Sequence, residues 1–84
     1  MRNRHRSTLA RIFASPTPPD IRWAEVVSLL RALDVEILEA AGSRVRLRSG
    51  GKQKVIHRPH PKPYLSKGAV RDVVDFLNEV GVSP

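Results

Sequence analysis

A β-hairpin is predicted by residues 42–68, which read GSRVRLRSGGKQKVIHRPHPKPYLSKG. From Arg44 to Arg48, basic and apolar residues alternate without a break. Successive side chains of a β-strand point to opposite faces, so this strand would place its arginines on one face and its apolar residues on the other. The pair Gly50-Gly51 fits a tight turn, and residues 54–58 then form the returning strand.

The returning strand runs into the sequence HRPHP at residues 57–61. Its two prolines stop sheet pairing, because proline has no N–H to donate to a neighbouring strand. His57 and His60 are two of the three histidines of the chain. The hairpin therefore becomes a basic ribbon that ends in a rigid, histidine-bearing turn, which suggests phosphate contact with a titratable group close by.

Helices are predicted near residues 3–14, 23–33 and 66–80, where apolar residues recur at the i, i+3, i+4 spacing of one helix face. Ser66 is a suitable N-cap for the last helix, and Gly81 suits the left-handed residue that follows its final turn. The three apolar stripes are Leu9, Ile12 and Phe13; Val26, Leu29, Leu30 and Leu33; and Val70, Val73, Val74 and Leu77.

A first strand at residues 35–39 completes an antiparallel, three-stranded meander, one face of which supplies the apolar surface that the helices need. The predicted fold class is α+β, with the α-β-β-β-α layout of the double-stranded-RNA-binding domain in residues 21–84. An extra N-terminal helix in residues 1–14 and a proline-rich connector in residues 15–20 precede this core. The connector is too short to separate two domains, so we expect residues 1–84 to form one.

The composition restricts the partners and the chemistry. A formal charge of +7 and a pI near 11.1 favour a polyanionic partner, either nucleic acid or an acidic protein. The chain has no cysteine, which excludes disulfides and thiolate zinc sites. No apolar run approaches the ~20 residues of a membrane span, and no secretion signal is recognisable, so we expect a cytoplasmic protein without membrane contact.

Several motifs of the chain occur in the order and at the spacing of one known family. From about Trp23 to Val82, the sequence resembles the HicA toxins of bacterial toxin–antitoxin pairs. The resemblance implies the double-stranded-RNA-binding fold, ribosome-independent mRNA interferase activity and neutralisation by a HicB antitoxin. It also implies a toxin that is monomeric when free and forms a hetero-oligomer with the antitoxin. The motifs are WAEVVSLLRAL at 23–33, GSRVRLR at 42–48, HRPHP at 57–61, KGAVRDVVDFL at 67–77 and NEVGV at 78–82.

One residue departs from the pattern of this family. Many members read Gly-Ser-His at the turn before the second strand, and that histidine is held responsible for cleavage; here the matching position is Arg44. Arginine cannot act as a neutral base, because a guanidinium holds its proton far more tightly than an imidazole does. Either another histidine performs the chemistry or the protein only binds RNA.

His57 and His60 are the candidate catalytic residues. Metal-free RNA cleavage needs one group to accept the 2′-OH proton and another to protonate the leaving 5′-oxygen, and histidine suits both tasks. We prefer His57, since a strand residue is held more rigidly than a turn residue. The strand phase is open: if Val55 faced the core, His57 would share that face and be partly buried. His5 is more simply incidental, and no metal or other cofactor is expected, since no carboxylate lies near the two histidines in sequence.

RNA binding is predicted for the basic ribbon and for the start of the last helix, where an N-terminus attracts phosphate. Three functions remain open: an endoribonuclease toxin acting on mRNA, a non-catalytic RNA-binding module of the same fold, and an adaptor for an acidic protein. The candidate RNA-binding residues are Arg44, Arg46, Arg48, Lys52, Lys54, Arg58, Lys67 and Arg71.

Overall fold

The computed structural model describes residues 1–84 and contains three helices and one antiparallel sheet in the strand order β1-β2-β3. The predicted α+β fold with its three-stranded meander is therefore confirmed. The strand borders differ slightly from the prediction, because β1 begins at Glu36 and β3 begins at Lys52. None of the helices combines the length and the apolar composition needed to cross a bilayer. The elements are α1 (Asn3–Ile12), α2 (Trp23–Ala32), β1 (Glu36–Glu39), β2 (Arg44–Ser49), β3 (Lys52–His57) and α3 (Lys67–Glu79).

The hairpin between β2 and β3 closes through Gly50 and Gly51, with Ser49 and Lys52 as the last paired residues. The φ angles of Gly50 and Gly51 are 53° and 82°. Two successive residues with positive φ are typical of the tight turn whose twist matches that of the flanking strands, and glycine adopts this conformation at no steric cost. The glycine pair thereby sets the register of the whole hairpin.

One face of the sheet is covered by helices and forms the core. Val45 and Leu47 of β2 and Ile56 of β3 are at most 2% exposed and belong to the same buried cluster as Phe76 of α3. Helix α1 also contributes to this cluster, through Leu9 and Ile12. The opposite face of the sheet carries no helix and remains open to solvent.

Two helix ends show how local sequence sets the boundaries. At the start of α3, the hydroxyl oxygen of Ser66 accepts a hydrogen bond from the Ala69 N–H at 3.1 Å, which confirms the predicted N-cap. At its end, Gly81 has a φ of 79°, and the Val82 N–H donates to the Leu77 carbonyl at 2.8 Å. This is the Schellman arrangement expected from a glycine in that position.

The segment between β3 and α3 is tied to the start of α2. The Trp23 N–H donates to the Pro63 carbonyl, and the Leu65 N–H donates to the Ile21 carbonyl, both at 2.9 Å. Between these two bonds lies an isolated antiparallel bridge that pairs Arg22 with Tyr64. The histidine-bearing turn is therefore held between the sheet and the second helix.

Candidate nucleic-acid interface and catalytic site

The open face of the sheet carries the arginines of β2, as their alternation predicts. Arg44, Arg46 and Arg48 are exposed, whereas the two residues between them are buried. On β3, Ile56 is 1% exposed and Val55 is 42% exposed. His57 consequently lies on the open face together with Val55, which decides the strand phase that the sequence left open.

Arg44 and His57 are direct cross-strand neighbours. The Arg44 N–H donates to the Ala41 carbonyl at 3.4 Å, and the Arg44 carbonyl accepts from the Ala40 N–H at 3.0 Å. Both backbone groups of Arg44 thus point away from β3, so the pair is of the non-hydrogen-bonded type, in which opposing side chains approach most closely. The Arg44 and His57 side chains therefore leave neighbouring positions of the solvent face, and Nε of Arg44 donates to the Ala41 carbonyl at 3.3 Å.

A surface pocket of about 320 Å³ adjoins this pair beyond the end of β3. Its lining includes His57, His60, Lys62, Tyr64 and Ser66. The structure thus brings both candidate histidines to one concave site. Lys62 was not among the candidate residues predicted from the sequence. It lies between two prolines, two residues after His60, and this closeness to the candidate histidine could have indicated that it lines the same site.

The three arginines of the open face differ in their electrostatic state. Nε and Nη2 of Arg48 donate to the two carboxylate oxygens of Glu36, at 3.0 and 3.2 Å. This hydrogen bonding, reinforced by charge attraction, lowers the pKa of Glu36 and raises the pKa of Arg48. Arg44 and Arg46 form no salt bridge, so their charges are available to a phosphate.

The basic residues of β3 and its exit lie on the other side of the sheet. Lys54 pairs with the buried Leu47 and points towards the helices, with its Nζ 3.9 Å from carboxylate oxygens of both Asp72 and Asp75. Arg58 Nη1 donates to Glu39 at 3.0 Å, across the end of the sheet. Lys52 lies two residues before Lys54, on the same face of β3, and borders the end of α3. The eight RNA-binding candidates are therefore divided between two faces.

Lys67 and Arg71 are exposed near the start of α3, which belongs to the helical layer. Arg71 borders a separate surface pocket that is also lined by Phe13 of the α1 end. His5, by contrast, is 7% exposed and its Nε2 lies 2.8 Å from the Ser28 hydroxyl oxygen, where it joins α1 to α2. No group of three or more metal-ligating side chains is present.

Comparison with protein families gives a match over residues 23–82, to the family described as the HicA toxin of bacterial toxin–antitoxin systems. The chain belongs to the HicA toxin family. The match begins at the first residue of α2 and ends just after α3, so it leaves out α1 and the connector of this HicA chain. Comparison with curated proteins and with solved structures finds no match.

Within this HicA domain, Gly42 has a φ of 67° and leads through Ser43 into Arg44. The Ser43 carbonyl accepts the Arg58 N–H at 2.8 Å, which joins the turn to the exit of β3. Arg44, the position at which the resemblance places a histidine, therefore follows directly on a residue that is hydrogen-bonded to the exit of the strand that carries His57.

Proposed function

We propose that this HicA-family chain is an endoribonuclease toxin that cleaves mRNA without a metal and is silenced by a HicB-like antitoxin. The observation that carries the proposal is the Arg44–His57 pair on the open sheet face, next to a pocket that also contains His60. A cation that stabilises the phosphate and two groups that transfer protons are what such a reaction uses.

In the proposed reaction, one histidine accepts the proton of a ribose 2′-OH, and the 2′-oxygen attacks the adjacent phosphorus. The bond from phosphorus to the 5′-oxygen breaks, and the second histidine protonates that oxygen, leaving a 2′,3′-cyclic phosphate and a 5′-hydroxyl. Negative charge develops on the phosphate in the transition state, and Arg44 is placed to stabilise it. Arg44 acts here as a phosphate clamp, because the planar guanidinium can donate two parallel hydrogen bonds to phosphate oxygens.

Arg46 and the partly neutralised Arg48 continue the cationic surface along β2. They would hold the RNA backbone through phosphate contacts that carry no sequence information. The antitoxin is proposed to cover this same face, because complementary charge accelerates association and shields the RNA site in one step. The free toxin would be a monomer, and the silenced form a hetero-oligomer.

A cleavage assay with the purified chain tests the proposal. A 5′-labelled transcript is incubated with the protein in the presence of EDTA, and the products are examined for cyclic phosphate ends. Induction in bacteria should arrest growth, and co-expression of the adjacent reading frame should restore it and yield a co-purifying complex. Intact transcript after incubation with antitoxin-free protein would contradict the enzymatic function.

The second candidate is a non-catalytic RNA-binding module. Arg44 favours it, because the resemblance places the cleaving histidine of many HicA members at this position. If the free protein binds the transcript without cleaving it, this alternative is supported. If it binds neither RNA nor an RNA analogue, an adaptor for an acidic protein is the remaining function.

A further inference from the structure

Tyr64 is the only tyrosine of the chain and lines the same pocket as His57 and His60. The residue is 37% exposed, which makes it one of three large hydrophobic residues that are classed as exposed. Tyr64 belongs to none of the family motifs and has no role in the proposed proton transfers. Aromatic rings beside a cationic groove are the stacking platforms of proteins that bind single-stranded nucleic acids.

The backbone that carries Tyr64 is fixed on both sides. Leu65 is hydrogen-bonded to Ile21 and Pro63 to Trp23, the first residue of α2, and Tyr64 itself is bridged to Arg22. Leu65 is 5% exposed and anchors the segment in the core. A ring held in this way loses little conformational entropy when a ligand stacks on it, which favours binding.

Arg22 occupies one side of the ring. Its Cζ lies over Tyr64, 5.3 Å from the ring centroid, within the range of a cation–π contact. The contact covers one side of the ring, while the residue as a whole is 37% exposed. It also places a second cation beside the aromatic surface, as a contact for a neighbouring phosphate.

We infer that Tyr64 is a base-stacking position that receives one unpaired nucleobase next to the scissile phosphate. The substrate class that fits is single-stranded RNA, because bases in a duplex are stacked on one another and only unpaired bases can be splayed onto a side chain. This inference rests on the proposed RNA function and adds to it a residue that selects single strands.

A binding experiment on the full chain tests the inference. The probes are a fluorescent, fully 2′-O-methylated single strand, which lacks the nucleophile and cannot be cleaved, and the duplex of the same sequence. Parent, Tyr64→Phe and Tyr64→Leu are compared; leucine keeps apolar bulk but removes the π-face. We expect Tyr64→Phe to bind the single strand within about two-fold of the parent, and Tyr64→Leu to bind it about 5- to 100-fold more weakly.

The duplex should bind with the same affinity to all three proteins. A 2-aminopurine in the strand gives a second readout, since its fluorescence is expected to be quenched by the parent and Tyr64→Phe but not by Tyr64→Leu. The stacking position would be overturned if Tyr64→Leu bound the single strand as tightly as the parent does. It would also be overturned if Tyr64→Leu lost as much affinity for the duplex as for the single strand. A parent that binds neither probe would instead overturn the proposed RNA function, and the inference with it.

Discussion

Arg44 and His57 are opposite each other on β2 and β3, and both project from the sheet face that no helix covers. The first occupies the place where the family resemblance expects a histidine, and the second is a histidine one strand away. A permanent cation and a titratable imidazole are thus paired across two strands. The register of the hairpin, set by Gly50 and Gly51, produces this pairing.

Replacement of His57 by alanine should lower the cleavage rate about 10²- to 10⁴-fold and leave RNA affinity nearly unchanged, because a proton-transfer group acts mainly in the transition state. His60→Ala should have an effect of the same kind. Arg44→Ala should weaken both binding and rate, since the phosphate contact exists before and during the reaction. Single-turnover cleavage and anisotropy with an uncleavable RNA separate the two quantities.

Gln53→Ala is the matched control for these variants, because Gln53 lies exposed on the same strand and the same face as His57. It should cleave like the parent. The exchange variant Arg44→His with His57→Arg keeps one imidazole and one guanidinium in the pair and should be more active than His57→Ala. A His57→Ala, His60→Ala double variant that cleaves as fast as the parent would refute the catalytic assignment.

RNA binding should weaken steeply with salt, because phosphate contacts release counterions. About four neutralised phosphates correspond to a slope of roughly −3 to −4 in log K against log salt. Arg46→Gln should reduce the magnitude of this slope by about one, whereas Lys54→Gln should change it little, since Lys54 faces Asp72 and Asp75. Titrations at several salt concentrations measure the slopes; a flat response in the parent would exclude phosphate-driven binding.

Glu36→Gln should raise RNA affinity about two- to five-fold at low salt, because it releases Arg48 from its bidentate partner. Glu79→Gln is the control, as it changes the net charge equally at a residue without a salt bridge. Equal gains in both variants would show that net charge alone, rather than the release of Arg48, is responsible.

The same Glu36–Arg48 pair predicts a pH dependence of stability. The pKa of Glu36 is lowered in the folded protein by the hydrogen bonds and charge of Arg48. Its small stabilising contribution is therefore present above the pKa of the unfolded chain and is lost as the pH falls through the lowered folded value. Thermal unfolding of parent and Glu36→Gln should differ at neutral pH and converge in strong acid; a difference that persists there would exclude this origin.

Ile12→Ala should destabilise the fold by about 2–4 kcal/mol, because Ile12 is 2% exposed and alanine leaves a cavity in its place. This is a large share of the ~5–15 kcal/mol typical of a domain, so the effect will be evident in urea unfolding. Arg6→Ala, on the exposed side of α1, should remain within about 0.5 kcal/mol of the parent. Equal stability of Ile12→Ala and the parent would mean that α1 does not contribute to the stability of the core.

Much of the fold follows from local sequence patterns. The alternation from Arg44 to Arg48 predicts which side chains face solvent, and Ser66 and Gly81 mark the ends of α3. These signals are local because the strand pleat, the N-cap and the left-handed glycine each depend on a few neighbouring residues. The family resemblance over residues 23–82 was likewise visible in the sequence and is confirmed by the family match.

By itself, the sequence determined the helices and strands, their order and the two faces of β2. The tertiary structure decided which side chains come together in the candidate site. Residues 52–57 read KQKVIH, in which Val55 and Ile56 are adjacent, so no alternation indicates which of them is buried. Pairing with β2 places Ile56 opposite Val45 in the core and thereby turns His57 outwards. The contacts of Tyr64 with Arg22 and of Lys54 with α3 join residues far apart in the chain, and such contacts form only when the sheet packs against its helices.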